Sequence, residues 1–187
     1  MIKTKKSQFQ QHLYHEVENE DKVEEYLDQI IPSIGYVVMY FNSLEKSLDS
    51  IICEIFTDRT DYTGLIVLHK LNYATKVDLF KRFSDGFHEM DEFLISGYDD
   101  LIRNLKESGR LRNLVVHADW ENTVDDGYTY VKLKITKGNL EQEYAQFTDE
   151  SLSKILDLIV QTQEDLYVYW EKRNDRLYNR TPADNNR

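Results

Sequence analysis

The sequence predicts an all-α fold, an up-and-down bundle of four to five helices with a small β-hairpin inserted before the last helix. Three observations predict it. Two prolines and seven glycines in 187 residues leave few interruptions, so helices dominate. Apolar residues recur at steps of three and four over most of the chain. One stretch, Tyr128 to Thr136, alternates at strand period instead.

Phe9, Leu13 and Val17, then Val23, Leu27 and Ile30, follow helical spacing. Pro32 is expected to end or kink that helix, with Ser33 capping the next. The second helix carries a broad apolar face of Val37, Val38, Phe41, Leu44, Leu48, Ile51, Ile52 and Ile55. Thr57 to Gly64 reads as a loop. A short apolar piece, Leu65 to Leu71, leads into a helix with the stripe Tyr73, Val77, Phe80, Phe83 and Phe87. A fourth helix covers roughly 92–118, and the last begins after Thr148, an N-cap followed by Asp149 and Glu150. Between them, Val131, Leu133 and Ile135 alternate with Tyr130, Lys132 and Lys134. Lys137-Gly138-Asn139 turns the chain back, giving a hairpin over about 128–147.

Residues 1–180 are thus expected to form one domain, followed by a polar, disordered tail over 181–187. Met1 to Lys6 is basic but no apolar segment follows, so a secretory signal is not expected. No run of about 18 apolar residues offers a membrane span. A cytoplasmic location follows as the expectation. Cys53 is the single cysteine, in the apolar run Ile51-Ile52-Cys53, and reads as a buried reduced thiol. The net charge of −11 argues against tight, indiscriminate nucleic-acid binding, since its basic zones, Lys3, Lys5 and Lys6 and then Lys172, Arg173, Arg176 and Arg180, are short.

The chemistry-bearing stretch is Arg110-Leu111-Arg112-Asn113-Leu114-Val115-Val116-His117-Ala118-Asp119-Trp120. On a helix Asn113 and His117 share a face, and Arg110 joins their stripe two turns before His117. Arg112 points about 140° away from His117 by the helical period. RNA transesterification needs a base for the 2′-hydroxyl, an acid for the leaving oxygen and positive charge on the phosphorane. Histidine suits the first two tasks, and arginine's planar fork suits the third. Asparagine can orient either. Taken alone, a histidine near a helix end beside Trp120 equally reads as a partly buried, hydrogen-bonded residue. Glu45 interrupts the apolar stripe of the second helix. It either pairs with Arg112 or His117 or reaches water at the stripe's edge beside Lys46.

Arg112-Asn113-Leu114-Val115-Val116-His117, near the end of a late helix, resembles the signature of the HEPN superfamily: Arg, a polar residue, a short spacer and His. Arg110 to His117 fits the longer spacing, but Leu111 is then not polar. The resemblance implies a homodimer whose two motifs face each other, so that Arg112 and His117 from both subunits serve one phosphate. It implies a metal-independent endoribonuclease without cofactor, acting as a toxin or phage-defence (abortive infection) effector. Arg112, Asn113 and His117 would be catalytic, with Glu45, Arg110 and Asp119 in support. RNA is the substrate, and an antitoxin or regulatory protein is a further partner. Where one subgroup carries a modifiable Tyr two residues after the His, this chain has Asp119, which puts that regulation in doubt.

His12 and His15 stand three apart, a ligand-compatible spacing, but no cluster completes a metal site. His69 and His88 are isolated. The rival readings are an inactive interaction module of the same fold and a nucleotide-sensing module.

Overall fold

The computed structural model describes residues 2–9, 19–57, 62–124 and 126–178. Among them run β1 (Lys3–Gln8), α1 (Glu20–Thr57), α2 (Tyr62–Leu68), α3 (Tyr73–Asp91) and α4 (Tyr98–Val116). These are followed by β2 (Asp119–Thr123), β3 (Tyr128–Thr136), β4 (Asn139–Gln146) and α5 (Asp149–Tyr178). Leu13, Val17, His12, His15, Arg180 and the tail lie outside the described residues. By internal contacts the chain divides into two compact units. One comprises Met1–Tyr40 with Arg110–Asp157, the other Phe41–Gly109 with Leu158–Arg187. Among the described residues no helix is long and apolar enough to cross a membrane.

The fold is not all-α with one inserted hairpin. A four-stranded antiparallel sheet, ordered β1-β4-β3-β2, belongs to the first unit. The expected hairpin is its centre: Thr136 pairs with Asn139 across Lys137 and Gly138, whose φ of +81° a side chain would disfavour. The two outer strands carry no strand pattern. Lys3-Thr4-Lys5-Lys6-Ser7-Gln8 is wholly polar and exposed, so its place depends on backbone pairing with β4, from Lys3–Gln146 to Gln8–Glu141. Asp119 to Thr123 is short and polar, and it pairs with β3 through an irregular register. An edge strand buries little, so alternation is not required of it.

Helix α1 runs unbroken through Pro32, against the expected break. Pro32 is exposed, so water can satisfy the carbonyl that the missing N–H leaves open. α4 starts at Tyr98 rather than Glu92. Glu92 adopts a left-handed φ of 50° and closes α3, and its N–H donates to the His88 carbonyl. α5 begins where expected, with reciprocal bonds between Thr148 and Ser151: Ser151 N–H to Thr148 Oγ1 at 3.1 Å and Thr148 N–H to Ser151 Oγ at 2.9 Å.

In the first unit Ile30, Val37, Val115, Ala145, Phe147, Leu152 and Ile155 are buried. The Tyr26 hydroxyl donates to the Phe147 carbonyl at 2.7 Å, and the Trp120 and Phe147 rings lie 4.9 Å apart. The second unit buries the predicted stripes: Phe41, Leu44, Leu48, Ile51 and Ile52 of α1, and Val77, Phe80 and Phe87 of α3. Cys53 is fully buried there. Gly64 of α2 sits so close that a Cβ would stand 2.6 Å from its Sγ.

Candidate functional site

The buried positions of α4, Leu101, Leu105, Ser108 and Val115, fix the helix's phase. Asn113 and Val116 are therefore exposed, while Leu111, Arg112 and Leu114 are half-buried. His117 follows the last helical residue, and its backbone N–H still donates to the Asn113 carbonyl at 3.0 Å. The Trp120 indole Nε1–H donates to the Val115 carbonyl at 3.0 Å, satisfying one of the carbonyls that the helix end leaves open. That bond fixes the turn from α4 into β2.

The structure brings Arg112 and Asn113 together: Arg112 Nη1 donates to Asn113 Oδ1 at 3.0 Å. His117 is exposed, and its ring has no hydrogen-bond partner among the described residues. His117 is thus exposed rather than partly buried, and the Trp120 indole is engaged with backbone. Arg110, the first residue of the stretch, is exposed. Asp119 opens β2, accepts from the Asn122 side chain and pairs with Tyr130. Arg112, Asn113, His117 and Asp119 all belong to the first unit, and of their side chains the structure joins Arg112 and Asn113.

Glu45 has a different partner. In the second unit Lys76 Nζ lies 2.8 Å from Glu45 Oε1 and 2.8 Å from Asp49 Oδ2. Neither Arg112, His117 nor the neighbouring Lys46 appears in that arrangement. Burial works against the Lys76 charge, but the two carboxylates outweigh it and raise its pKa. Burial raises the Asp49 pKa against the pull of Lys76. Sequence reasoning missed Lys76, although a signal was there. Lys76 falls within the α3 stripe, between Tyr73 and Phe80, just as Glu45 falls within that of α1. Opposite charges interrupting two apolar stripes suggest each other as partners.

A second missed constellation joins α3, α4 and α5 in the same unit. The Tyr98 hydroxyl donates to Asp85 Oδ1 at 2.6 Å. The His88 ring meets that of Tyr98 edge-on at 4.5 Å, and its Nε2 lies 3.4 Å from the Tyr169 hydroxyl. Burial among these rings depresses the His88 pKa below 6.5, against Asp85 and Asp99, which favour its charged form. As pH falls through 6.5 the unfolded chain takes up this proton first, so stability should decline on acidification. Melting temperatures compared at about pH 7.5 and 5.5 should fall less for His88→Phe than for the parent. An equal fall in both would exclude His88 as the source.

Among the described residues no three of His, Cys, Asp and Glu group as metal ligands would. No family model matches the chain, and neither the curated proteins nor the solved structures include a match.

Proposed function

We propose that this chain is a cytoplasmic, homodimeric, metal-independent endoribonuclease of the HEPN kind, acting as a toxin or phage-defence effector. The observation that carries the reading is the exposed His117 imidazole, without a competing hydrogen bond among the described residues, in the same short stretch as the Arg112–Asn113 pair. His117 takes the proton of a ribose 2′-hydroxyl, whose oxygen attacks the adjacent phosphorus. The bond from phosphorus to the 5′-oxygen breaks, and that oxygen is protonated by an acid, the His117 of a second subunit in the dimer. Arg112 neutralises the crowded phosphorane. Asn113 holds the guanidinium through its side-chain carbonyl.

The reaction leaves a 2′,3′-cyclic phosphate and a 5′-hydroxyl. The test is to incubate purified protein with single-stranded RNA in excess chelator and identify the ends. Cyclic phosphate and 5′-hydroxyl ends at an undiminished rate are expected. Cleavage that stops on chelation, or ends bearing a 5′-phosphate, would overturn the proposal.

A second reading, a nucleotide-sensing module, draws on an open pocket of about 420 Å³ in the second unit, lined in part by Glu54, Trp170, Arg173 and Tyr178. Arg173 stands 4.5 Å over the Trp170 ring. A nucleotide-dependent melting shift without RNA cleavage would favour this reading.

A further inference from the structure

Cross-strand partners share one face of a sheet, so the pairing register assigns each side chain of this sheet to one of two faces. On one face Thr129 and Ala145 pair, both fully buried. On the other, a single row crosses all four strands: Lys5 faces Tyr144, Tyr144 faces Tyr130, and Tyr130 faces Asp119. The neighbouring row is Lys3, Gln146 and Tyr128. Lys5 Nζ sits 4.2 Å from the centre of the Tyr128 ring and 5.8 Å from that of Tyr144. The Tyr130 and Tyr144 rings meet at 5.9 Å, steeply inclined. Lys3 and Lys5 are exposed, Tyr128 and Tyr130 are half-buried, and Tyr144 between them is buried. The four-strand row ends at Asp119, two residues beyond His117.

We propose that this tyrosine–lysine face is a binding platform for single-stranded RNA that leads the strand to His117. Its destination rests on the ribonuclease reading; the binding itself does not. The partly exposed rings of Tyr128 and Tyr130 on this face offer stacking surfaces to unpaired bases, which a duplex keeps hidden. Lys3 and Lys5 supply the positive charge that a phosphate backbone needs. Lys5 already covers the Tyr128 ring as a cation on a π face. An incoming base takes that place while the ammonium swings out to the adjoining phosphate. The platform also reconciles RNA recognition with a chain of net charge −11, because stacking contributes affinity without a broad basic surface.

The experiment is fluorescence anisotropy of the full chain with a labelled single-stranded 2′-O-methyl oligonucleotide, which lacks the attacking hydroxyl and is not cleaved. Tyr128→Ala and Lys5→Glu should each weaken binding about tenfold, whereas Lys5→Arg should retain it. Duplex RNA should compete poorly. Because Lys5 is exposed, Lys5→Glu reads the face even where Tyr128→Ala perturbs folding. The proposal is overturned by an absence of binding in the parent protein, or by affinity that neither substitution changes. It is also overturned where the substitutions dissociate a complex of two chains and leave RNA affinity intact, which would make the face a protein interface. Face-dependent binding without cleavage of natural RNA would sink the ribonuclease reading alone. Cleavage indifferent to both substitutions would sink the platform alone.

Discussion

His117→Ala is expected to lower RNA cleavage by about a hundredfold or more while leaving the melting temperature unchanged. The magnitude is that of losing a positioned general acid–base, commonly 10²–10⁴-fold. The unchanged stability follows from the exposure of the ring and from its lack of a hydrogen-bond partner among the described residues. Surface substitutions away from such contacts usually shift stability by no more than about 0.5 kcal/mol. Arg112→Lys separates charge from shape, since the ammonium keeps the charge but loses the planar fork that also reaches Asn113. Its rate should fall between those of the parent and Arg112→Ala. Initial rates on a fluorogenic RNA, with melting curves on the same preparations, decide the matter. An undiminished rate for His117→Ala excludes this residue from the chemistry.

Lys76→Met should have the largest effect on stability, a loss of about 2–4 kcal/mol. Methionine fills a similar length without charge, so Glu45 and Asp49 are left facing each other without the cation between them. Breaking a fully buried pair costs about 3–5 kcal/mol. The lower range applies because the Glu45 and Asp49 side chains retain 29% and 20% of their exposure, while Lys76 keeps 8%. The pH dependence has a definite sign. The folded-state pKa of Lys76 is raised above 10.5, so its contribution is fully present below that value and disappears as pH climbs through the folded pKa. In the variant, protonation of Asp49 on acidification relieves the repulsion, so the deficit should narrow at low pH. Urea unfolding at neutral and acidic pH measures both effects. A deficit below about 0.5 kcal/mol at neutral pH, the range of ordinary surface changes, would show the ion triad to be dispensable.

The apolar stripes of α1 and α3, and the cap of α5 at Thr148, were legible because burial imposes a period and a cap demands particular side chains. The outer strands were not. Lys3 to Gln8 is exposed along its length, and a strand held chiefly through its backbone leaves no apolar alternation in the side-chain order. Pro32 misled because the rule about proline concerns a lost bond, whose cost depends on whether water reaches the freed carbonyl. At the candidate site, Arg112, Asn113 and His117 were singled out by residue chemistry together with their resemblance to a family signature. The Arg112–Asn113 bond joins sequence neighbours, while the use of Trp120 as a helix-end donor depends on the path of the following turn. For Glu45 the sequence left open a pair with Arg112 or His117 or a reach to water, and its partner, Lys76, lies thirty-one residues away on α3. One-dimensional spacing does not rank such distant candidates.

Strand β1 has a temporal consequence. Lys3 pairs with Gln146 and Gln8 with Glu141, so β1 waits on the ribosome for a partner made more than a hundred residues later. At roughly 5–20 residues per second, that interval lasts several seconds. The segments joining α4 to the sheet belong to the same late-made stretch, and closing so long a loop is itself slow. Until then the nascent chain has the basic β1 segment but not the finished sheet. A growing chain is thereby kept from assembling its tyrosine–lysine surface before β4 has emerged.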